Sequence, residues 1–325
     1  MAELDLLDRK IMYELDLNAR ISASQLARKV RKSKETVNFR LKRLMSKGYL
    51  KGFYTIFSTS KLGWSYFKIF LKMRDIPPKK SEEMMQSLSK IEQVAYLAST
   101  DGYYDAIVLV MVRETEQMES FMQLFMDRFG ELILEKEIMV FPTAHRFNAR
   151  FLFVGKEEKD WTYPVKLENY PVDEIGMKLI HAITNNARAP IVDIAKKAGI
   201  DQKTASYRLK KLEQDGVILA YVTAPDFERL GLQYVQINFS LKNPASRKSV
   251  MGFFRSTNTC LYALEVLGKF DVGVEIAVQG KQLGKILSEF REKFAGKYNF
   301  FDVATITKEY TVIWGPFGSS VEAKY

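Results

Sequence analysis

Hydrophobic residues recur every three or four positions at the start of the chain and again near its middle, which predicts an amphipathic helix at both places. The first set is Leu4, Leu7, Ile11 and Leu15, and the second is Val172, Ile175, Leu179 and Ile183. Two shorter helical patterns follow each set. We therefore expect a unit of three helices at the start of each half of the chain.

The third helix of each unit is bounded by residues that favour helix ends. Ser33 and Asp201 are suited to the N-cap, and Gly48 and Gly216 stand where a glycine ends a helix. Between these bounds the apolar residues fall on one face, namely Val37, Leu41 and Leu44 in the first unit and Ala205, Leu209 and Leu212 in the second. Short helices joined by a tight turn predict a helix-turn-helix unit.

The rest of each half alternates strands and helices. In the first half we expect strands over 66–73, 94–99, 105–112, 138–141 and 150–154, with helices over 81–89 and 116–129. In the second half we expect strands over 234–241, 261–266, 272–278 and 304–314, with helices over 247–255 and 283–294. Asp101-Gly102 is a signal for a tight hairpin turn. The order βαββαβ is ferredoxin-like.

The two halves are copies of one plan. With an offset of 168, residues 5–63 align without a gap to 173–231, with 16 identities in 59 positions. Further along the offset becomes 166, and Gly102 and Asp105 then align with Gly268 and Asp271. The repeat is too long for a solenoid and indicates a duplicated two-domain unit.

These patterns predict an α+β fold in which two winged-type helix-turn-helix units alternate with two ferredoxin-like βαββαβ domains. The predicted bounds are 1–60 for the first helix-turn-helix domain and 61–154 for the first βαββαβ domain. A charged, proline-containing connector follows over 155–170. The second helix-turn-helix domain covers 171–228, and the second βαββαβ domain covers 229–325.

Composition excludes several classes of protein. Hydrophobic residues make up 47% and charged residues 27%, which excludes a wholly disordered chain. The single cysteine, Cys260, excludes an intrachain disulfide and a thiolate zinc cluster, and the two distant histidines, His145 and His181, argue against a metal site. The start lacks an apolar signal region, and the longest apolar run, 106–112, is too short to span a membrane. We therefore expect a cytoplasmic protein without a cofactor or a membrane partner.

The net charge of +10 is concentrated on the two helix-turn-helix units. Residues 28–51 carry +9 and residues 196–219 carry +3, which leaves −2 for the remaining chain. A basic helix-turn-helix unit predicts double-stranded DNA as its partner, because its helix must approach the phosphates to enter the groove. The charge alone leaves open a solvated basic face without a partner.

The outward face of each third helix supplies the candidate DNA-binding residues. In the first unit they are Lys34, Glu35, Thr36, Asn38, Phe39 and Lys42, and in the second Gln202, Lys203, Thr204, Ser206, Tyr207 and Lys210. Asparagine can bond adenine through two hydrogen bonds, and lysine can reach guanine. Arg40, Arg43, Arg208 and Lys211 are candidates for phosphate contacts, and Arg40 is also placed to brace the helix packing. The two different sets predict two different half-sites.

Several segments together resemble the Lrp/AsnC, or feast/famine, transcriptional regulators. They are the third-helix segments 33–50 and 201–218, the opening 4–20, and the Gly-x-x-Asp turns at 102–105 and 268–271. The resemblance covers nearly all of both halves except the connector. It implies DNA binding through the helix-turn-helix units. It also implies pairing through the βαββαβ domains, which are the regulatory, or RAM, domains of that family.

The resemblance also implies a small effector, such as an amino acid, bound near the Gly-x-x-Asp turns. The candidate ligand residues are Thr100, Asp101, Gly102 and Asp105, with Gly268 and Asp271 in the second half. The alternative is that Asp101-Gly102 is only a hairpin turn and that Asp105 only caps it.

The sequence departs from that family in two respects. A usual member carries one unit and pairs with a second copy, whereas this chain carries two. The halves either pair with each other as a pseudo-dimer or each pair with a second chain. The turn before the third helix has Gly199 in the second half but Arg31 in the first, and a left-handed conformation there would strain Arg31.

Three other functions share parts of this pattern. Siroheme decarboxylases are built on a similar plan and would use histidine or tyrosine for acid–base chemistry. The sequence shows no nucleophile–base pair, phosphate loop or metal spacing, so we expect no enzyme. A protein that coats DNA without sequence preference would also carry a basic helix-turn-helix unit. An interaction module using the aromatic-rich strands near 64–70 and 298–301 is the third alternative.

Overall fold

The structure is a computed structural model that describes residues 4–163 and 168–313. The first half contains α1 (Leu6–Leu17), α2 (Ala23–Val30), α3 (Lys34–Ser46), β1 (Leu50–Phe57), β2 (Ser65–Met73), α4 (Pro78–Leu88), β3 (Val94–Gly102), β4 (Ala106–Val112), α5 (Thr115–Phe129), β5 (Ile133–Phe147) and β6 (Asp160–Tyr163). The second half contains α6 (Glu174–Ile183), α7 (Ile191–Ala198), α8 (Gln202–Gln214), β7 (Ile218–Pro225), β8 (Gln233–Leu241), α9 (Arg247–Ser256), β9 (Cys260–Leu267), β10 (Val272–Val278), α10 (Gly280–Lys293) and β11 (Tyr298–Val312). The predicted α+β fold is confirmed. The end of the predicted strand 304–314 lies outside the described residues.

The turn between the second and third helices has the same backbone in both units. Arg31 ends α2 with φ 55°, and Gly199 ends α7 with φ 71°, so both residues are left-handed. Ser33 and Asp201 then accept hydrogen bonds from Thr36 and Thr204 as N-caps. The strain expected at Arg31 is therefore present.

The two helix-turn-helix units form one body. Their wing strands, β1 and β7, pair with each other antiparallel, so that Tyr54 faces Val222. A single hydrophobic core runs through both units and includes Leu15 and Leu44 from one and Leu179 and Leu209 from the other. No local pattern indicates this pairing, since each wing strand satisfies its hydrogen bonds on a segment 168 residues away.

A buried ion pair ties the helical body to the regulatory sheet. Arg146, near the end of β5, donates to both carboxylate oxygens of Asp16 in α1 at 2.7 and 2.8 Å. Asp16 also accepts from the Ala149 amide and the Thr223 hydroxyl. Neither charged side chain is more than 1% exposed, so these hydrogen bonds replace water for both.

The regulatory strands close into a ring. The order is β2-β4-β3-β11-β8-β10-β9-β5, and β5 returns to pair with β2. The 15-residue strands β5 and β11 make this closure possible. β5 pairs first with β2 of its own half and further along with β9 of the other half. In the same way β11 pairs first with β8 and then with β3. The two halves of the chain therefore pair with each other as a pseudo-dimer.

Two details of the sequence prediction were wrong in this region. Residues 150–154 do not form a strand, and 138–141 is only part of β5, which continues to Phe147. A proline within a strand pattern usually indicates the end of a strand, and Pro142 therefore gave no sign that β5 continues. It lies at an irregularity in the β5–β9 pairing, where a residue without an N–H is tolerated. The predicted connector contains β6, which pairs with the end of β5.

Alternation along β2 and β8 separates two faces of the ring. Ile69 and Leu71 in β2, and Ile237 and Phe239 in β8, pack outward against the regulatory helices. Their neighbours on the opposite face include Lys68. Of the helices described, none is long and apolar enough to cross a membrane.

Candidate nucleic-acid interface

The predicted outward residues of α3 and α8 are exposed to solvent. They are Lys34, Glu35, Asn38, Phe39 and Lys42 in α3, and Gln202, Lys203, Ser206, Tyr207 and Lys210 in α8. Phe39 and Tyr207, at equivalent positions of the repeat, are 66% and 69% exposed, although large aromatic side chains are usually covered. Thr36 and Thr204 are half-buried, and each hydroxyl bonds its N-cap residue.

The exposed lysines on these faces are unpaired. Within residues 4–163 and 168–313, none of Lys34, Lys42, Lys203 and Lys210 lies in an ion pair. Their ammonium groups are therefore available to an external anion, and phosphate is the anion that DNA presents.

The arginines of these helices are engaged within the chain. Arg40 contacts Asp5 at 2.6 Å and Asp8 at 3.3 Å, and Arg43 contacts Asp8 as well. In the second unit Arg208 contacts Asp173 at 2.7 Å, and this pair is equivalent to Arg40 and Asp5 in the repeat. The geometry therefore matches the bracing role considered for Arg40, since these contacts join the third helix to the start of the first.

Two of the carboxylates that contact these arginines also cap helices. Asp5 and Asp173 are the N-caps of α1 and α6, accepting from the amides of Asp8 and Gly176. The Arg208 guanidinium and the Gly176 amide hold the pKa of Asp173 below its ordinary value. Sequence reasoning missed these acidic partners, although the identity of Asp5 with Asp173 at the 168-residue offset was a usable signal.

The candidate ligand residues near the Gly-x-x-Asp turns make contacts of their own. Asp105 accepts from the Met73 amide at 2.7 Å and from Lys72 at 3.1 Å, and Asp271 accepts from the Leu241 amide at 2.8 Å. Thr100 donates its hydroxyl proton to the Tyr104 carbonyl. These three side chains therefore stabilise the strand ends on which the turns are built.

Asp101-Gly102 is not the turn itself. Both residues belong to β3, and Gly102 pairs with Ala304 of the other half. A Cβ on Gly102 would collide with the Val303 carbonyl oxygen, so glycine is required by close backbone approach. Strands β3 and β4 form the predicted hairpin, with Ser99 opposite Ala106, but Asp101-Gly102 is not its tight turn, because pairing with the other half extends β3 through Gly102.

The turns of the two halves lie near each other. Lys269, next to Gly268, donates to the Tyr104 hydroxyl at 3.0 Å and to Glu135 at 3.2 Å. The bond to Tyr104 is the main reason that the pKa of Lys269 is raised. Asp101 and Gly102 remain exposed beside this cluster.

The two histidines lie apart from each other and from these turns. His145, in β5, bonds the Thr162 hydroxyl at 3.0 Å. His181, in α6, is half-buried, and burial lowers its pKa. Among the residues described, no group of histidine, cysteine, aspartate and glutamate side chains is arranged to hold a metal ion.

Comparisons with known proteins agree with this architecture. The profile of winged helix-turn-helix DNA-binding domains matches residues 4–51 and 172–218. The HTH-type transcriptional regulator Ptr1 of Methanocaldococcus jannaschii is 33% identical over 119 residues, which are 37% of this chain and 79% of that protein. The proline dehydrogenase transcriptional activator of Rhizobium radiobacter is 33% identical over 109 residues, 33% of this chain and 70% of that protein.

The chain is a DNA-binding helix-turn-helix transcriptional regulator. It belongs to the Lrp/AsnC family, in a form that carries two copies of the usual unit in tandem. Each relative matches about a third of this chain but most of its own length, as a duplication requires.

Solved structures of the siroheme decarboxylase NirDL match nearly the whole chain. In one of them, 97% of this chain aligns with 95% of NirDL, with a TM-score of 0.65 and 13% sequence identity. At that identity the match shows a shared fold, in which both units and both regulatory domains are arranged alike.

Proposed function

We propose that this chain is a sequence-specific, cytoplasmic transcriptional regulator that reads two unequal DNA half-sites through α3 and α8. The observation that carries the proposal is the pair of equivalent outward faces, each with unpaired lysines and one exposed aromatic side chain. The side chains offered to bases differ, with Asn38 in the first unit and Gln202 and Ser206 in the second. The first unit is more basic and supplies the larger share of the phosphate contacts.

The paired wings support binding as one unit. Because β1 and β7 share a sheet and a core runs through both units, the two third helices keep a constant separation. A constant separation favours DNA in which two half-sites lie at one spacing. Non-specific coating would impose no such spacing.

Selection of bound fragments from random DNA, followed by gel shifts over a salt series, tests this proposal. We expect a site with two unlike halves at one spacing. Replacing Lys34 and Lys42 by alanine should lower the slope of log affinity against log salt by about 0.9 for each phosphate that is no longer neutralised. Lys203→Ala with Lys210→Ala should have a smaller effect.

The matched control is Lys79→Ala with Lys285→Ala, which removes the same charge from exposed positions on the regulatory helices α4 and α10. This control should leave the slope unchanged. Equal losses of affinity in all three double variants, or equal binding to all sequences, would indicate non-specific attraction by net charge.

We further propose that a small effector, such as an amino acid, binds beside the Gly-x-x-Asp turns. Since Asp105, Asp271 and Thr100 are engaged in the turn structure, the exposed Asp101 side chain and the backbone at Gly102 and Gly268 are the groups left to meet it. Calorimetric titration with single amino acids, using wild type and Asp101→Ala, tests this. If Asp101→Ala leaves the affinity for the amino acid unchanged, the effector does not bind beside these turns.

We propose a regulatory rather than an enzymatic role, as the names of the relatives support. The siroheme decarboxylase shares the fold, and fold does not carry chemistry across at this identity. The purified protein is expected to show no haem-like absorbance, and production of carbon dioxide from added siroheme would contradict this assignment.

A further inference from the structure

A cavity of about 890 Å³ lies between the paired wings and the strand ring. The wings contribute Tyr54 of β1 and Ala224 of β7, and the ring contributes side chains such as Tyr66 of β2 and Tyr262 of β9. Both halves of the chain, and both kinds of domain, therefore line this one cavity. Its volume is in the range of pockets that hold small-molecule ligands.

Tyrosines are prominent in the cavity lining. They are Tyr54, Tyr66, Tyr96, Tyr163, Tyr234, Tyr262 and Tyr310. Burial raises the pKa of the first six, in the case of Tyr66 to about 12, so these six hydroxyls keep their protons at neutral pH. The lining is thus rich in hydrogen-bond donors on flat apolar rings.

Two carboxylates of the lining, Glu275 and Glu309, are already engaged. Lys68, only 5% exposed, donates to Glu275 at 2.7 Å and to Gln236 at 2.8 Å. Glu275 also accepts from the Tyr234 hydroxyl, and Glu309 accepts from Lys51 at 3.1 Å. An ammonium group has three N–H donors, so Lys68 has one more than these two contacts use.

Donors in the lining, in contrast, are left without partners. The indole N–H of Trp64, the Tyr96 hydroxyl and the Nε of Arg146 are buried and have no hydrogen-bond partner among the residues described. The indole and the guanidinium can only donate. Buried donors of this kind require an acceptor to offset their loss of water.

Two stacked ring pairs near the cavity give it flat walls. Tyr66 stacks on Phe141 with centroids 5.6 Å apart and planes 17° apart, and Phe227 stacks on Tyr234 at 4.4 Å and 12°. All four residues line the cavity. Such walls favour a flat ligand, because aromatic faces stack in offset or parallel arrangements.

We propose that this cavity binds an effector with a flat apolar body and an anionic oxygen group, such as an aromatic carboxylate or sulfonate. The oxygens accept from Trp64, Tyr96 and Lys68, and the flat body lies between the tyrosine rings. Because Tyr54 and Ala224 belong to the wings, an effector bound in the cavity contacts the two helix-turn-helix units and can alter DNA binding. The effect on DNA binding rests on the proposed function, whereas binding of the effector to the cavity does not.

Fluorescence titration with two matched probes tests the inference without DNA. The first probe is 8-anilinonaphthalene-1-sulfonate, and the second is N-phenyl-1-naphthylamine, which has the same aromatic body without the sulfonate. We expect one sulfonate probe per chain. Trp64→Phe with Tyr96→Phe should weaken its binding by about tenfold or more, since charge-assisted hydrogen bonds are removed, and should leave the uncharged probe nearly unchanged.

Tyr103→Phe is the control, because it removes an exposed hydroxyl that bonds Glu135 in the turn region. It should alter the binding of neither probe. Sulfonate binding that the double variant leaves unchanged, or an equal weakening of both probes, overturns the inference. So does binding of several sulfonate molecules per chain.

A second variant tests the cavity without changing the donors Trp64 and Tyr96. Ala224→Trp places a large ring in the cavity from the wing and should abolish binding of both probes. Unchanged binding in this variant also overturns the inference. Gel shifts are read separately: a chain that binds the probe but no DNA contradicts the proposed function and leaves the cavity assignment intact.

Discussion

Arg20 and Arg188 make reciprocal contacts across the two halves of the chain. Arg20 donates to the Ala187 carbonyl at 2.7 Å, and Arg188 donates to the Ala19 carbonyl. The Ala19 amide donates to the Tyr221 carbonyl at 2.8 Å, and the Ala187 amide donates to the Phe53 carbonyl at 3.0 Å, each on the wing strand of the opposite half. The repeated Asn-Ala-Arg motif is therefore the joint between the two helix-turn-helix units.

Removing one of these arginines should loosen the joint. Arg188→Ala is expected to lower the free energy of unfolding by about 1.5–3 kcal/mol, as for removal of a hydrogen bond to a charged group. The side chain also lies over the Phe53 ring, 5.4 Å from its centroid. Urea unfolding measures the effect, with exposed Lys203→Ala as the control. Equal stability of the two variants would show that the joint does not depend on this arginine.

Asp16 is a fully buried charge whose counterion, Arg146, is buried as well. Asp16→Asn leaves the buried Arg146 guanidinium without its counterion, and we expect the free energy of unfolding to fall by about 3–5 kcal/mol. Asp127→Asn, on the exposed face of α5, is the matched control and should change it little. A decrease for Asp16→Asn no larger than for the control would contradict the importance of this ion pair.

The left-handed turn at Arg31 offers a stabilising change. Arg31→Gly should raise the free energy of unfolding by roughly 1 kcal/mol, because glycine adopts φ 55° without the steric cost of a Cβ. Gly199→Ala should have the opposite effect, although a Cβ there meets no neighbour within 4 Å. Thermal unfolding of both variants tests the pair. A lower melting temperature for Arg31→Gly would show that the arginine side chain outweighs the strain.

Glu82 makes the interaction between the halves dependent on pH. Its carboxylate accepts from Lys308 at 2.7 Å and from Tyr310 at 2.5 Å, and these bonds, that to Lys308 first, lower the pKa of Glu82 from 4.5 to about 2. A lowered pKa means that the stabilisation is complete above pH 4.5 and disappears as the pH falls towards 2.

Glu82→Gln should therefore destabilise the protein at pH 7 and progressively less as the pH falls below 4.5. Urea unfolding of wild type and variant at several pH values gives this difference directly. Glu116→Gln, at an exposed position of α5, provides the control. A difference between Glu82→Gln and wild type that stays constant with pH would exclude the carboxylate charge as its cause.

Much of this protein follows from local signals. Caps such as Ser33 and Asp201, C-terminal glycines such as Gly48, and one apolar face per helix determine the helix-turn-helix units from residues close in sequence. The strand–helix alternation determines the regulatory domains in the same way. Exposure of Lys42 and Phe39 was predictable as well, since helical spacing fixes which face a residue occupies.

The tertiary structure alone decided how the halves meet. Pairing of β1 with β7, of β5 with β9 and of β11 with β3 joins strands from opposite halves of the chain, which no local pattern encodes. The same holds for the cavity, which both halves line. Tyr66 and Tyr234 repeat at the 168-residue offset, yet only closure of the ring turns both toward one space, because the inner face of a strand exists only once its partners are in place.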